Sequence, residues 1–202
     1  MSRNEAAKGQ SFRTQTVSEP LHLIALGANL PSGSGSPRET LEAALAALQA
    51  RGLSVVARSA WYGTPAFPAG SGPDYVNGAA ALASPLSPDA VLELLHEVER
   101  DLGRSRALRW GPRACDLDLL ACGDAVLPDA ATVGDWIARS GARRMETPPG
   151  LLLPHPRLHE RGFVLRPLAD VAADWRHPLL GLTVREMLAA LPPGSLEGIV
   201  RL

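Results

Sequence analysis

The chain of 202 residues is poor in lysine: Lys8 is the only one among 20 basic residues, the others being arginine. No GxxxxGKS or GxxxxGKT run exists, so a P-loop nucleotide site is excluded. Any phosphate bound here must be held by arginine forks and metal. Cysteine is also scarce. Cys115 and Cys122 lie in one predicted strand, roughly 23 Å apart on opposite faces at about 3.3 Å per residue. That is beyond disulfide reach, and two such residues make no cysteine metal site. Reduced thiols fit a cytoplasmic protein. Residues 1–20 lack an apolar signal core, and no apolar run approaches the roughly 18 residues of a membrane span. Charge of one sign is missing too, with a net charge of −1 and a pI near 6.5. Neither nucleic acid nor an anionic membrane is an expected partner.

What is present fits one globular unit. Residues 1–20 are polar and aperiodic and read as a disordered extension, leaving 21–202 as a single domain. Residues 21–26 form a short apolar run, a strand. Residues 32–36 are a Gly/Ser loop. Pro37–Ala50 has helical spacing at Leu41, Ala44, Leu45 and Leu48, with Pro37 in the first turn. Residues 53–62, with Val55 and Val56, form a second strand, and 63–73 a Gly- and Pro-rich loop. Tyr75–Ala83 is the third strand. Ser87 caps a helix over 88–102, which Gly103 stops. A fourth strand covers 115–121. The order βαββαβ predicts an α+β fold, a ferredoxin-like antiparallel sheet with helices on one face. Residues 129–150 look inserted, and a short helix over 183–191 ends a C-terminal extension.

Asp116 and Asp118, two residues apart in a strand, project from the same face, with Leu117 and Leu119 turned to the core. Two like charges on one face are unfavourable without a cation to join them, and oxygen ligands so spaced suit Mg²⁺. Taken alone, the pair reads more simply as two solvated aspartates on an exposed edge strand. Arg104, Arg106, Arg109 and Arg113 immediately precede it and shift the reading toward a bound anion and metal. Gly103, Gly111 and Pro112 shape this stretch as a loop. Tyr75 and Asn77 share one strand face, suited to a flat heterocycle with a polar edge, although core packing and turn chemistry account for them equally. His155, between Pro154 and Pro156, sits on a rigid extended segment as a ligand or as a structural histidine. An RNA-binding module, which a split βαββαβ sheet can serve as, is disfavoured by the net charge, the paired acids and the few aromatics. A different metal-dependent nucleotidyl enzyme stays open on these residues alone.

The segments LGANL, YGTPAFP, PDYVNGAAAL, HEVERDLGRSRALRWGPRACDLDLL and LLPHPRLHERGFVLRPL, in this order over residues 21–190, resemble the 6-hydroxymethyl-7,8-dihydropterin pyrophosphokinase family. The resemblance implies a folate-pathway transferase that moves the β,γ-pyrophosphoryl group of ATP onto the pterin hydroxymethyl and releases AMP. ATP and the pterin are then the small-molecule partners of a monomeric enzyme. It also implies that Asp116 and Asp118 hold two Mg²⁺ ions, with Arg104, Arg113 and Asp118 as the catalytic residues. His155, Arg161 and Arg109 join Arg104 and Arg113 around ATP, with His96, Glu99 and Leu119 nearby. Tyr75 and Phe163 sandwich the pterin, and Asn77, Trp110 and the loop of Thr64, Pro65, Ala66 and Phe67 complete its pocket. The chain departs from the family in three places. Ala66 stands where a proline is common, the stretch between Arg106 and Arg109 is one residue shorter, and 129–150 is longer than usual. Arg139, Arg143 and Arg144 of that insertion either close over ATP or are solvated, and solvation is the favoured expectation.

Overall fold

A computed structural model describes residues 19–66, 72–103 and 114–202. The expected N-terminal extension, apart from residues 19 and 20, and the site candidates Phe67, Arg104, Arg109, Trp110 and Arg113 lie outside them.

The sheet is built from β1 (Leu21–Ala28), β2 (Ser54–Arg58), β3 (Tyr62–Thr64), β4 (Tyr75–Ala83), β5 (Asp116–Cys122) and β6 (Val200–Arg201). Its order is β5-β1-β4-β3-β6, with β2 also on β4, and every pairing is antiparallel. The second predicted strand is therefore two. β2 pairs with residues 80–83 of β4 and β3 with residues 75–77, while the chain turns off the ladder at 59–61 to bury Trp61. That excursion depends on Gly78. A Cβ there would lie 2.4 Å from Trp61 Cζ3, and Trp61 Nε1 donates to Glu42 Oε1 at 3.2 Å, which fixes the ring. Gly78→Ala is expected to lower stability by about 1–3 kcal/mol through overpacking. Urea unfolding measures it, and a midpoint equal to that of the parent would contradict this packing.

Both central helices form as predicted. α1 (Pro37–Ala50) starts at a capping box of Ser36 and Glu39, and α2 (Pro88–Asp101) at Ser87, whose side chain accepts from the Ala90 amide. Their apolar stripes cover one sheet face, packing Leu41, Leu48, Val91 and Leu95 against Ile24, Leu26, Leu82 and Leu117. The expectation of helices on one face only is corrected. α4 (Gly162–Ala172) packs on the other face with α5 (Val184–Ala189) against it, and Val164, Leu165, Leu168 and Met187 share a buried cluster with Leu23, Ala79 and Ala81. The alanines of β4 let α4 approach closely. The 129–150 segment is also structured: α3 (Ala130–Ala138) is capped by Asp129 and followed by a 3-10 turn over Gly141–Met145.

A register shift in the β1–β5 pairing corrects the cysteine reading. Leu119 faces Ile24 and Ala121 faces Leu23, so Leu120 is a bulge. One extra residue reverses the alternation. As a result Cys115 and Cys122, seven positions apart, both lie buried in the α1/α2 core. No helix among the described residues is long and apolar enough to cross a membrane.

Candidate active site

The face under α4 carries the predicted acids. Asp116 is opposite Gly27 and Gly27 opposite Asn77, while Asp118 is opposite Ala25 and Ala25 opposite Ala79. The carboxylates thus stand over small residues, and no cation lies opposite them on β1. Asn77 is buried and donates from Nδ2 to Thr64 Oγ1 at 2.7 Å. A Cβ at Gly27 would lie 3.0 Å from Asn77 Oδ1, so glycine keeps the floor low beside that amide. Phe163, 42% exposed at the start of α4, overhangs this floor. Ala25, Gly27, Asn77, Asp116, Asp118 and Phe163 together line a small cavity of about 30 Å³. Tyr75, half-buried and opposite Thr64, continues the same face at the head of β4. Ala66 closes that end, its amide donating to Asp74 Oδ1 at 3.3 Å, with Pro65 exposed before it.

Asp118 also lines a second, larger cleft of about 270 Å³, on the side of His155 and Arg161. Arg161 Nη1 lies 3.9 Å from Asp118 Oδ2, and its guanidinium carbon 5.8 Å from the centre of the Phe163 ring. His155 is carried on a strap that crosses β5. Its amide donates to the carbonyl of the bulged Leu120 at 2.8 Å, and the preceding Leu153–Pro154 bond is cis. Its Nδ1 accepts the Arg157 amide at 3.2 Å, which assigns the ring proton to Nε2. Burial, then the charges of Arg161 and Arg157, push its pKa down to about 3. The ring is a neutral donor aimed at the cleft.

Leu119 is buried in the cleft wall, and half-buried His96 follows the wall residue Leu92 by one turn of α2. Glu99 is turned instead into the sheet edge. It is buried, and Oε1 accepts the amide of Leu117, the residue between the two acids, at 2.8 Å. The expected solvation is corrected for Arg139 and in part for Arg144. Arg139 and Arg144 line the cleft with Trp136 and Met145, and only Arg143 points largely to solvent. The sequence signal was the run of three arginines in a polar segment, but only folding decides which of them turn inward.

Among the described residues no three His, Cys, Asp or Glu side chains gather as a metal cage. Two carboxylates on one face are nevertheless the donor set that suits Mg²⁺, which takes one or two of them and completes its shell with water and phosphate oxygens. Asp116 and Asp118 fit that ion.

A profile of the family described as 7,8-dihydro-6-hydroxymethylpterin-pyrophosphokinase (HPPK) matches residues 23–173. The 2-amino-4-hydroxy-6-hydroxymethyldihydropteridine pyrophosphokinase of Pseudomonas aeruginosa is 39% identical over 180 residues, 89% of this chain and 94% of that one. The enzyme of the same name from Synechocystis is 35% identical over 167 residues, 82% of this chain and 73% of that one. In three dimensions the chain is similar to the crystal structure of wild-type Plasmodium falciparum HPPK-DHPS. The TM-score is 0.60 at 12% identity, over 87% of this chain and 45% of the longer one, a likeness of fold. By profile and by identity, this chain belongs to the 7,8-dihydro-6-hydroxymethylpterin-pyrophosphokinase family.

Proposed function

We propose that the chain transfers the β,γ-pyrophosphoryl group of ATP to the hydroxymethyl oxygen of 6-hydroxymethyl-7,8-dihydropterin, a step of folate biosynthesis. The observation that carries this is the position of Asp118, which lines both a small cavity with Asn77 and Phe163 and a larger arginine-lined cleft. A flat heterocycle laid against Asn77 and Phe163 and a polyphosphate in the cleft would meet at that carboxylate. The sheet order β5-β1-β4-β2, with α1 and α2 on one face, supports the ferredoxin-like reading of a single unit over 21–202.

In this scheme the pterin hydroxyl oxygen bonds to the β-phosphorus, the bond from that phosphorus to the α-phosphate oxygen breaks, and AMP leaves while the hydroxyl proton passes to solvent. Phe163 and Tyr75 hold the ring, and the Asn77–Thr64 pair, with Pro65 and Ala66 beside it, offers its amide to the polar edge. Asp116 and Asp118 would hold two Mg²⁺ ions, which offset phosphate charge and acidify the hydroxyl. Arg161 offers charge-assisted bonds to phosphate oxygens, and neutral His155 donates through Nε2. Leu119 and His96 border the nucleotide, while Glu99 acts on it through the Leu117 amide. Arg104, Arg109, Arg113, Trp110 and Phe67 join the site on the strength of the family motifs. Such catalysis is mainly positioning and charge neutralisation. The same reading takes the protein as a cytoplasmic monomer with reduced thiols.

Incubation with ATP, Mg²⁺ and the hydroxymethyl pterin tests the proposal. AMP and a pterin diphosphate are expected. ADP as the nucleotide product, or none, sinks it.

A further inference from the structure

Segment 129–150 is pinned at its base by paired backbone bonds between Leu127 and Leu153, of 2.9 and 3.0 Å. Val133 of α3 is fully buried. The far end is tied down through Arg144, which pairs with Glu160, itself bonded to Arg157 Nε at 2.7 Å. Arg139 is held between Asp135 at 3.0 Å and Glu146 at 2.8 Å, with its guanidinium carbon 3.3 Å from the centre of the Trp136 ring. Its side chain is only 12% exposed, yet it lines the cleft. A guanidinium so fixed is a preformed flat surface, with its rotamer freedom already removed in the free protein.

The cleft is lined by Asp118, Arg161 and His155, which the proposed reaction sets at the phosphates, while Leu92, Leu119 and Leu152 of the main fold are aliphatic. These side chains offer no planar partner for a base. Trp136 and Arg139 of the inserted segment supply one. We propose that this segment is the base wall of the nucleotide site, and that Arg139, stacked on Trp136, is the platform on which the purine of ATP lies. The inference rests on the proposed ATP-dependent reaction and adds a specificity-determining residue to it.

Calorimetric titration with Mg²⁺ and α,β-methylene-ATP, whose cleavable bridge is blocked, tests the platform on the intact chain. Tripolyphosphate, which has no base, is titrated in parallel. Arg139→Ala is expected to weaken the nucleotide analogue by about tenfold or more, as loss of a base-stacking partner does, and tripolyphosphate by less than about twofold. Arg139→Lys keeps the charge between Asp135 and Glu146 but loses the plane, so it is expected to fail as Arg139→Ala does. Trp136→Leu leaves the ion pairs in place and is expected to weaken the analogue as well, which covers the case in which Arg139→Ala does not fold. Equal weakening of both ligands, recovery of binding by Arg139→Lys, or unchanged nucleotide binding in both Arg139→Lys and Trp136→Leu overturns the platform. If the parent protein produces AMP while these variants bind the analogue normally, only this inference fails. A parent protein that binds no nucleotide and makes no AMP overturns it together with the reading on which it rests.

Discussion

Asp118→Asn is expected to lose activity by about a hundred- to thousandfold, the scale on which removal of one charge-stabilising group from a reaction centre acts. The change is isosteric, so the strand and its alternation persist. Only the charge shared between the cavity and the cleft is removed. Folding should hardly notice. Asp118 is partly exposed, its contact with Arg161 is a loose 3.9 Å, and such pairs contribute about 1 kcal/mol or less. Relief of the Asp116–Asp118 repulsion offsets part of even that. Turnover and the urea midpoint, measured side by side, separate the two effects. Asp124→Asn, in the exposed turn after β5, is the matched control and should retain full turnover. If Asp118→Asn keeps more than about a tenth of the parent turnover, Asp118 is not part of the reaction centre.

The second large effect is on stability in mild acid. His22, His159 and His177 all have their pKa lowered by desolvation, and His177 is brought down to about 4. His177 is fully buried, and its Nδ1 accepts the amides of Leu179 and Leu180, both at 3.2 Å. Protonation of Nδ1 would set an N–H against two N–H donors. The folded pKa lies below the unfolded value of 6.5, so between the two the unfolded chain binds more protons. Stability is then full above about pH 6.5 and is lost as pH falls toward 4, by on the order of 3 kcal/mol for His177 alone. Carboxylates held low by caps, such as Glu39 and Glu186, have an ordinary value of 4.5, and their contribution fades only below it. Urea midpoints between pH 7 and pH 5 therefore isolate the histidines. They should fall steadily in the parent and more shallowly in His177→Gln. A flat profile in the parent, or an equally steep one in the variant, would defeat this account.

Six elements, the short helix α5 among them, were legible because their signals are local. A Ser-Pro start with helical spacing marks α1 and α2, and short apolar runs mark β1, β4 and β5. α4 was not, because Gly162 and the internal Pro167 are helix-breaking residues. Burial of Val164, Leu165 and Leu168 against the sheet overrides that local preference. The split of the edge strand into β2 and β3 depends on where Trp61 packs, and β6 exists only as a partner of β3. In the site, strand alternation alone placed Asp116 and Asp118 on one face and Leu117 and Leu119 in the core. It could not place Glu99, because a buried acid on a helix is explained only by the amide it meets. Nor could it foresee the Leu120 bulge, which returned Cys122 to the core of Cys115, or the inward turn of Arg139 and Arg144.

β5 ends the sheet, and an open edge strand invites pairing with a second molecule. Here two groups of the outer row are already taken. The Glu99 carboxylate takes the Leu117 amide, and the His155 amide takes the Leu120 carbonyl. The strap that presents His155 to the cleft therefore also shields the strand of Asp116 and Asp118 from self-association. Damage to that strap would appear as aggregation as well as lost activity.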